Sequence, residues 1–123
     1  MTNTIDLGIL IGLAYQSFVD DLRSDLAERG FTDLGPAYGY VLRALDADSL
    51  HLRQLSRRLS MTDQGAAKIV NEMEAGGYVE RLADPTDGRV KKLRLAARGR
   101  TALAAARRFH KAYERRLSRA VGI

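Results

Sequence analysis

The sequence predicts a mainly helical fold with one small β-hairpin, an α+β arrangement. Two long segments, one towards each end of the chain, carry apolar residues at helical spacing, and two short segments between them do the same. The pattern then changes to alternation of apolar and polar residues on both sides of the turn-forming stretch DPTDGR. The 123 residues, 46% of them apolar, suit one domain with a modest core.

The first segment predicts a long helix from about Thr4 to Arg29, with Gly30 as its stop. Its apolar stripe consists of Ile11, Tyr15, Phe18, Leu22 and Leu26. The N-terminal half, LGILIGLAY, is apolar almost all round, and one small core cannot easily cover it. Because large exposed apolar patches usually mark association, we expect a subunit interface here. The alternative is a helix buried by its own chain.

Two shorter helices are expected next. Gly35-Pro36 opens the first of them, with the proline in the first turn, and residues 46–49 form the turn that follows. The stretch LHLRQLSRRLS then predicts a helix whose leucines face inward. Its outward side chains are Arg53, Arg57 and Arg58.

A fourth helix is predicted in TDQGAAKIVNEMEAGG, after a brief break at Ser60-Met61. Thr62 is a good N-cap, or Asp63 if the boundary lies one residue later. Gly76-Gly77 ends the helix. Its inner face consists of Ala66, Ile69, Val70 and Met73.

A hairpin and a last helix complete the order. YVERLA, from Tyr78 to Ala83, alternates as a strand does, and Val90, Leu93 and Leu95 indicate its partner. The final helix runs from about Ala97 to Ala120, and Gly99 near its start costs some helix propensity.

Two short helices joined by a tight turn and followed at once by a hairpin form a winged helix-turn-helix. A helix can enter the major groove of DNA and present side chains to base edges. A turn flanked by basic strands can straddle phosphates and insert a side chain into the neighbouring minor groove. The order of elements therefore points to DNA.

The charge distribution agrees with this interpretation. The net charge is +5, but residues 1–50 hold three Arg against eight acidic residues, whereas residues 51–123 hold 17 basic residues against seven acidic ones. Residues 51–123 therefore suit contact with a polyanion, and residues 1–50 do not. The alternative is that the Arg-rich helices are merely well solvated.

Several classes of function have little support. The chain has no Cys, so disulfides and zinc–thiolate sites are excluded, and its two His make a metal site improbable on sequence grounds. No nucleophile–base pair or phosphate-binding glycine loop is visible, so we expect neither an enzyme nor a cofactor. The apolar stretch Leu7 to Tyr15 is too short to span a membrane and lacks signal-peptide flanks, so we expect a cytoplasmic protein.

At this point the chain resembles a known family. The stretch LRQLSRRLSMTDQGAAKIVNEMEAGGYVERLADPTDGRVKKLRLAARGR is similar to the DNA-binding lobe of the multiple-antibiotic-resistance regulator (MarR) family. The most specific part is Asp84-Pro85-x-Asp87-x-Arg89, followed by a basic strand and Gly99. The resemblance covers residues 34–108 well. It departs from the family at Thr86 and Gly88, where basic residues are usual, and at Ala96, where Thr is usual.

The resemblance implies one winged helix-turn-helix domain over residues 1–123. Residues 1–30 and 97–123 would be dimerisation helices, and residues 34–96 the DNA-binding lobe. Family members commonly carry a further C-terminal helix beyond the position of Ile123. We therefore expect the first and last helices to form the interface.

In the wing, the resemblance implies that Arg89 enters the minor groove while an acid such as Asp87 holds it. The alternative is an exposed arginine that merely pairs with Asp84 or Asp87. We expect both aspartates to orient arginines and shape the turn rather than act in catalysis.

Further contacts are expected on the recognition helix and beside it. Gln64 suits adenine, and Lys68 suits phosphate or guanine, although solvated surface is the alternative for each. Gly65 would let the backbone approach DNA. The full set of expected DNA-binding residues is Thr62, Asp63, Gln64, Gly65, Lys68, Arg89, Lys91 and Arg57, with Asn71 as a weaker candidate.

The expected partner is a pseudo-palindromic double-stranded DNA operator, bound by a homodimer that represses transcription. Its recognition helices would lie roughly 34–36 Å apart. The alternative is a winged-helix module that docks a protein without binding specific DNA. Relatives often respond to small molecules, and Tyr15, Tyr38, Tyr40 and His51 could line an effector cleft. Ordinary packing is the favoured interpretation of these four, so no ligand site is assigned.

Overall fold

A computed structural model describes residues 6–123 and confirms the predicted fold class. Within these residues the chain forms five helices and one two-stranded antiparallel sheet. The elements are α1 (Leu7–Glu28), α2 (Tyr38–Ala47), α3 (Leu52–Arg58), α4 (Asp63–Ala75), β1 (Val79–Ala83), β2 (Lys91–Leu95) and α5 (Ala97–Val121). Thr4, the expected start of the first helix, lies outside the described residues.

The core lies where α2, α3, α4 and the hairpin pack against the first half of α5. Its largest fully buried side chains include Tyr78, Leu55, Met73, Leu93 and Leu103. The inward faces expected for the middle helices are confirmed at Val41, Leu42, Leu45, Ala66, Val70 and Met73, all buried. Periodicity alone located this face because each helix buries one stripe.

The N-terminal half of α1 is not covered by this core. Leu7, Ile9 and Leu13 are each more than half exposed, and Leu117 and Val121 near the end of α5 are similarly exposed. The two helices meet instead around Phe18, whose ring contacts those of Phe109, His110 and Tyr113. An apolar surface of several side chains is thus left without a partner within residues 6–123.

The expected start of the second helix was wrong. Pro36 lies before α2, in a turn closed by the Tyr38 N–H, which donates to the Gly35 carbonyl at 3.2 Å. The fixed φ of proline suits the second position of such a turn as well as it suits a helix start, so sequence could not separate the two. At the other end α2 continues through Asp46 and Ala47, so the expected turn is reduced to Asp48 and Ser49.

The hairpin is held to the helical body at a point that the sequence did not indicate. Val79 pairs with Leu95 and Ala83 with Lys91 across the two strands. Leu50, just before α3, forms an isolated bridge to Leu93, with N···O distances of 3.2 and 2.8 Å. The hairpin therefore gains the equivalent of a short third strand from the entrance to the helix-turn-helix.

Candidate nucleic-acid interface

The N-terminus of α4, the expected recognition helix, is capped and open to solvent. The Thr62 side chain accepts from the Gly65 N–H at 3.0 Å, which confirms the predicted N-cap. Thr62, Asp63, Gln64 and Lys68 are all exposed. Because the first turn of a helix leaves backbone N–H groups unpaired and carries partial positive charge, this end suits phosphate.

Two of the expected contact residues have structural roles in this turn. Asp63 accepts a hydrogen bond from Ser56 Oγ and lies 3.8 Å from Arg53 Nε, so its carboxylate joins α4 to α3. Ser56 is almost fully buried. A Cβ on Gly65 would lie 3.1 Å from the Thr62 hydroxyl, so the cap itself accounts for a small residue there. Sequence reasoning missed both roles.

The wing, defined here as residues 79–95, has Asp84 at the start of its loop. Asp84 shapes the turn as expected, but the expectation that it orients an arginine was wrong, because its partners are Thr86 and His51. One carboxylate oxygen accepts from the Thr86 N–H and hydroxyl at 2.9 and 2.8 Å, and the other contacts His51 Nε2 at 2.7 Å. Only 7% of Asp84 is exposed. The Thr86 and His51 hydrogen bonds hold the pKa of this carboxyl well below its usual range, so it stays ionised.

Asp87 contacts Arg89, as the sequence predicted. Its Oδ1 accepts from the Arg89 backbone N–H at 3.1 Å and from Arg89 Nε at 3.2 Å. The Arg89 side chain is nonetheless 91% exposed, so its remaining donors face solvent. The acid therefore restricts the arginine without burying it, which leaves a partly oriented cation on the wing.

The other basic residues divide into paired and free groups. Arg94 pairs with Glu80, and Arg81 contacts Glu74 and Asn71, so Asn71 is already engaged. Lys92 is half-buried beside Asp84. Within α3, α4 and the wing, the exposed cations that form no ion pair with any residue of the described part of the chain are Arg57, Arg58, Lys68 and Lys91.

Arg98, which the sequence did not single out, joins α5 to the turn after α1 and to the end of α4. Its guanidinium lies 4.3 Å from the centre of the Tyr78 ring and donates to the carbonyls of Gly30 and Gly76. The Tyr78 hydroxyl donates to Asp33. Burial and this acid raise the pKa of Tyr78 to about 12, and the tyrosine hydrogen bond lowers the pKa of Asp33. These contacts, called the Arg98 joint below, fix the backbone where the chain leaves α4.

A cavity of about 390 Å³ lies between α1, α2 and α5. Tyr15, Tyr38 and Tyr40 are among its lining residues, as considered for an effector cleft. Tyr38 also donates to Glu72 at 3.2 Å. His51 contacts Asp84 in the wing instead and does not line this cavity. In residues 6–123, every helix falls short of the length and hydropathy that a bilayer crossing needs.

Comparison with known proteins gives a family and a fold. Residues 32–90 match the model of the MarR family. The exopolysaccharide II synthesis transcriptional activator ExpG of Rhizobium meliloti (strain 1021) is 31% identical over 113 residues, which are 92% of this chain. The chain spans 58% of the length of that curated relative.

Solved structures share the architecture. FabT of Streptococcus pneumoniae in complex with DNA has a TM-score of 0.68 at 26% identity, covering 87% of this chain and 78% of FabT. A MepR mutant of S. aureus bound to an oligodeoxyribonucleotide has a TM-score of 0.73 at 19% identity. The match covers 93% of this chain and 83% of the MepR chain. The arrangement of helices and hairpin is thus a winged helix-turn-helix.

Proposed function

We propose that this chain, whose residues 32–90 match the model of the MarR family, binds a specific sequence of double-stranded DNA and regulates transcription as a homodimer. One observation carries the proposal. An exposed, capped helix N-terminus precedes a wing whose Arg89 is oriented by Asp87 and left 91% exposed. The two solved relatives described above that contain DNA support the same assignment.

The exposure and position of individual residues support the roles that we propose for them. Gln64 and Lys68 read base edges from α4, because both are exposed in its first two turns. Arg89 enters the minor groove, where negative potential is concentrated. Arg57 and Lys91 bind phosphate, and Thr62 and Gly65 let the backbone N–H groups approach it. Asp63 acts through its link to α3 rather than on a base.

The dimer is proposed to form through residues 1–30 and 97–123, while residues 34–96 bind DNA. The exposed apolar side chains of Ile9, Leu13 and Leu117 support this division, since a second copy would cover them. A two-fold dimer presents two copies of α4 to a pseudo-palindromic site, about one DNA turn apart.

Repression is the direction of control that we propose, because a dimer covering two successive grooves blocks access to the same DNA. The curated relative is named an activator, so the sign needs its own measurement. A reporter downstream of the selected site gives it: expression falls with a repressor and rises with an activator.

The experiment that tests DNA binding begins with selection from random duplexes and from genomic fragments. We expect a symmetric sequence to be enriched. Arg89→Ala and Lys68→Ala should each weaken binding with the melting temperature nearly unchanged, and binding by the wild type should fall steeply as the salt concentration rises. Lys111→Ala, which removes an exposed cation from α5, is the control and should bind normally.

The outcome separates this proposal from the protein-docking alternative. No retention of any duplex at low salt favours the docking module. Salt-insensitive binding, or normal binding by both Arg89→Ala and Lys68→Ala, contradicts the roles assigned to the wing and to α4.

A further inference from the structure

We propose that His51 is a positioning residue that fixes the wing relative to the recognition helix, so that both elements engage DNA together. This inference rests on the proposed function. His51 is 31% exposed on its side chain and acts through Asp84 rather than on a base. It lies at the N-cap of α3, outside both elements whose geometry it sets.

The first observation is the hydrogen-bonded path from His51 to the wing loop. His51 Nε2 lies 2.7 Å from Asp84 Oδ2, and the other oxygen of Asp84 holds Thr86 through two hydrogen bonds. Asp84 is one of two buried polar residues among those that the structure describes, and it is charged. A buried carboxylate needs its partners, so loss of one leaves an unsatisfied oxygen.

The second observation is that His51 follows a residue that also holds the wing. Leu50 pairs through its backbone with Leu93 on β2, whereas His51 reaches Asp84 at the end of β1. The Asp84 N–H also donates to the Val90 carbonyl at 2.9 Å, which closes the loop across its base. Two consecutive residues thus hold both strands of the wing to the entrance of α3.

The Leu50 bridge holds the wing at the middle of β2, and the buried side chains of Val79 and Leu95 hold the paired ends of both strands in the core. His51 adds a contact at the opposite end of the wing, just after β1, where the loop begins. If the wing were in the binding geometry one tenth of the time, apparent affinity would fall about tenfold, since the apparent dissociation constant scales inversely with the competent fraction. Lys92, the nearby cation, acts on Asp84 only through its charge and cannot replace a directional hydrogen bond.

A matched pair of substitutions isolates this contact. His51→Gln keeps an N–H donor at about the reach of Nε2, whereas His51→Asn places its donor at about the reach of Nδ1, too short for Asp84. Asn is a favoured helix N-cap residue, so weakness of the Asn variant cannot be attributed to a poorer start of α3. The backbone N–H of residue 51, which donates to Gln54, is kept in both.

Three readouts are measured: amide hydrogen exchange of residues 84–90 without DNA, affinity for the selected duplex, and hydroxyl-radical footprints. We expect His51→Asn to exchange faster at the Thr86 N–H, to bind about tenfold more weakly, and to lose protection in the minor groove but keep it in the major groove. His51→Gln should match the wild type in all three.

Equal behaviour of the two variants, whether both are normal or both are weak, would overturn the positioning role. Uniform loss of protection in both grooves by His51→Asn would also overturn it, because that pattern reports general unfolding. Failure of the wild type to select any duplex overturns the proposed function and the role of His51 within it. The exchange measurement on free protein then reports separately whether His51 holds the wing.

Discussion

Replacement of Gly99 by alanine should destabilise the fold, although alanine is the better helix former. Gly99 lies in the first turn of α5, where that helix passes over the end of α4 and the start of β1. A Cβ there would overlap the Tyr78 carbonyl oxygen, and it would lie 3.1 Å from the carbonyl carbon and 3.4 Å from Leu95 Cδ2. The carbonyl cannot easily move, because it accepts from the Ala96 N–H at 2.9 Å.

The size of the effect follows from two opposed contributions. Overpacking against a fixed neighbour costs about 1–3 kcal/mol, and contact with backbone belongs at the upper end of that range. Exchange of Gly for Ala in a helix contributes up to about 1 kcal/mol in the other direction. The net loss in unfolding free energy is about 2 kcal/mol, or roughly 8 °C in melting temperature for a chain of this size.

The assay is thermal and urea unfolding at one fixed protein concentration, because dimer formation makes the melting temperature depend on concentration. Gly39→Ala is the matched control, since its Cβ would meet only Nη1 of Arg43 at 3.2 Å, the far end of a long side chain that can shift more easily than a backbone carbonyl. That variant should be neutral or slightly more stable. A Gly99→Ala protein as stable as the wild type, or one that shifts equally with Gly39→Ala, would refute the close-approach argument.

Three further outcomes are expected. Thr62→Ala should lower the unfolding free energy by about 1 kcal/mol in urea titrations, and Thr62→Ser should restore it, because the cap needs only a hydroxyl that accepts from the Gly65 N–H; equal stability of both variants would contradict the cap. Ile9→Glu should shift sedimentation from dimer to monomer, whereas Ser24→Glu on the same helix should not; a dimeric Ile9→Glu protein would exclude that part of α1 from the interface. The Tyr78 pKa is raised from 10.0 to about 12 by folding, so its stabilisation is complete below pH 10 and is lost as pH rises towards 12. Urea titrations should therefore show a shallower loss of stability over that interval in Tyr78→Phe, and identical slopes would argue against the raised pKa.

Local sequence patterns were sufficient to predict the structure where residues within one element determine it. Thr62 and the Gly76-Gly77 pair marked both ends of α4, and Gly77 has a φ of +82°, which glycine adopts without strain. The final helix begins at Ala97 as expected, even without the usual threonine at Ala96. Caps, stops and periodicity act over a few residues, so a single sequence contains the necessary information.

Contacts between distant segments could not be predicted in this way. His51 and Asp84 are 33 positions apart, and neither residue type specifies the other. Ser56 and Asp63 are closer, but Asp63 was assigned to DNA because an exposed acid at a helix start has several uses. Gly99 illustrates the same limit. The sequence showed that glycine lowers helix propensity there, but it did not show that the Tyr78 carbonyl lies against this position.

The Arg98 joint has a mechanical consequence for the proposed dimer. A single guanidinium on α5 touches the turn after α1, the end of α4 and the ring of Tyr78. Each α5 then moves as one body with its own winged helix-turn-helix, which is attached near the N-terminal end of that helix. A compound that tilted one α5 against the other would change the distance between the two copies of α4. It would thereby change which half-site spacings the dimer tolerates, without contacting DNA.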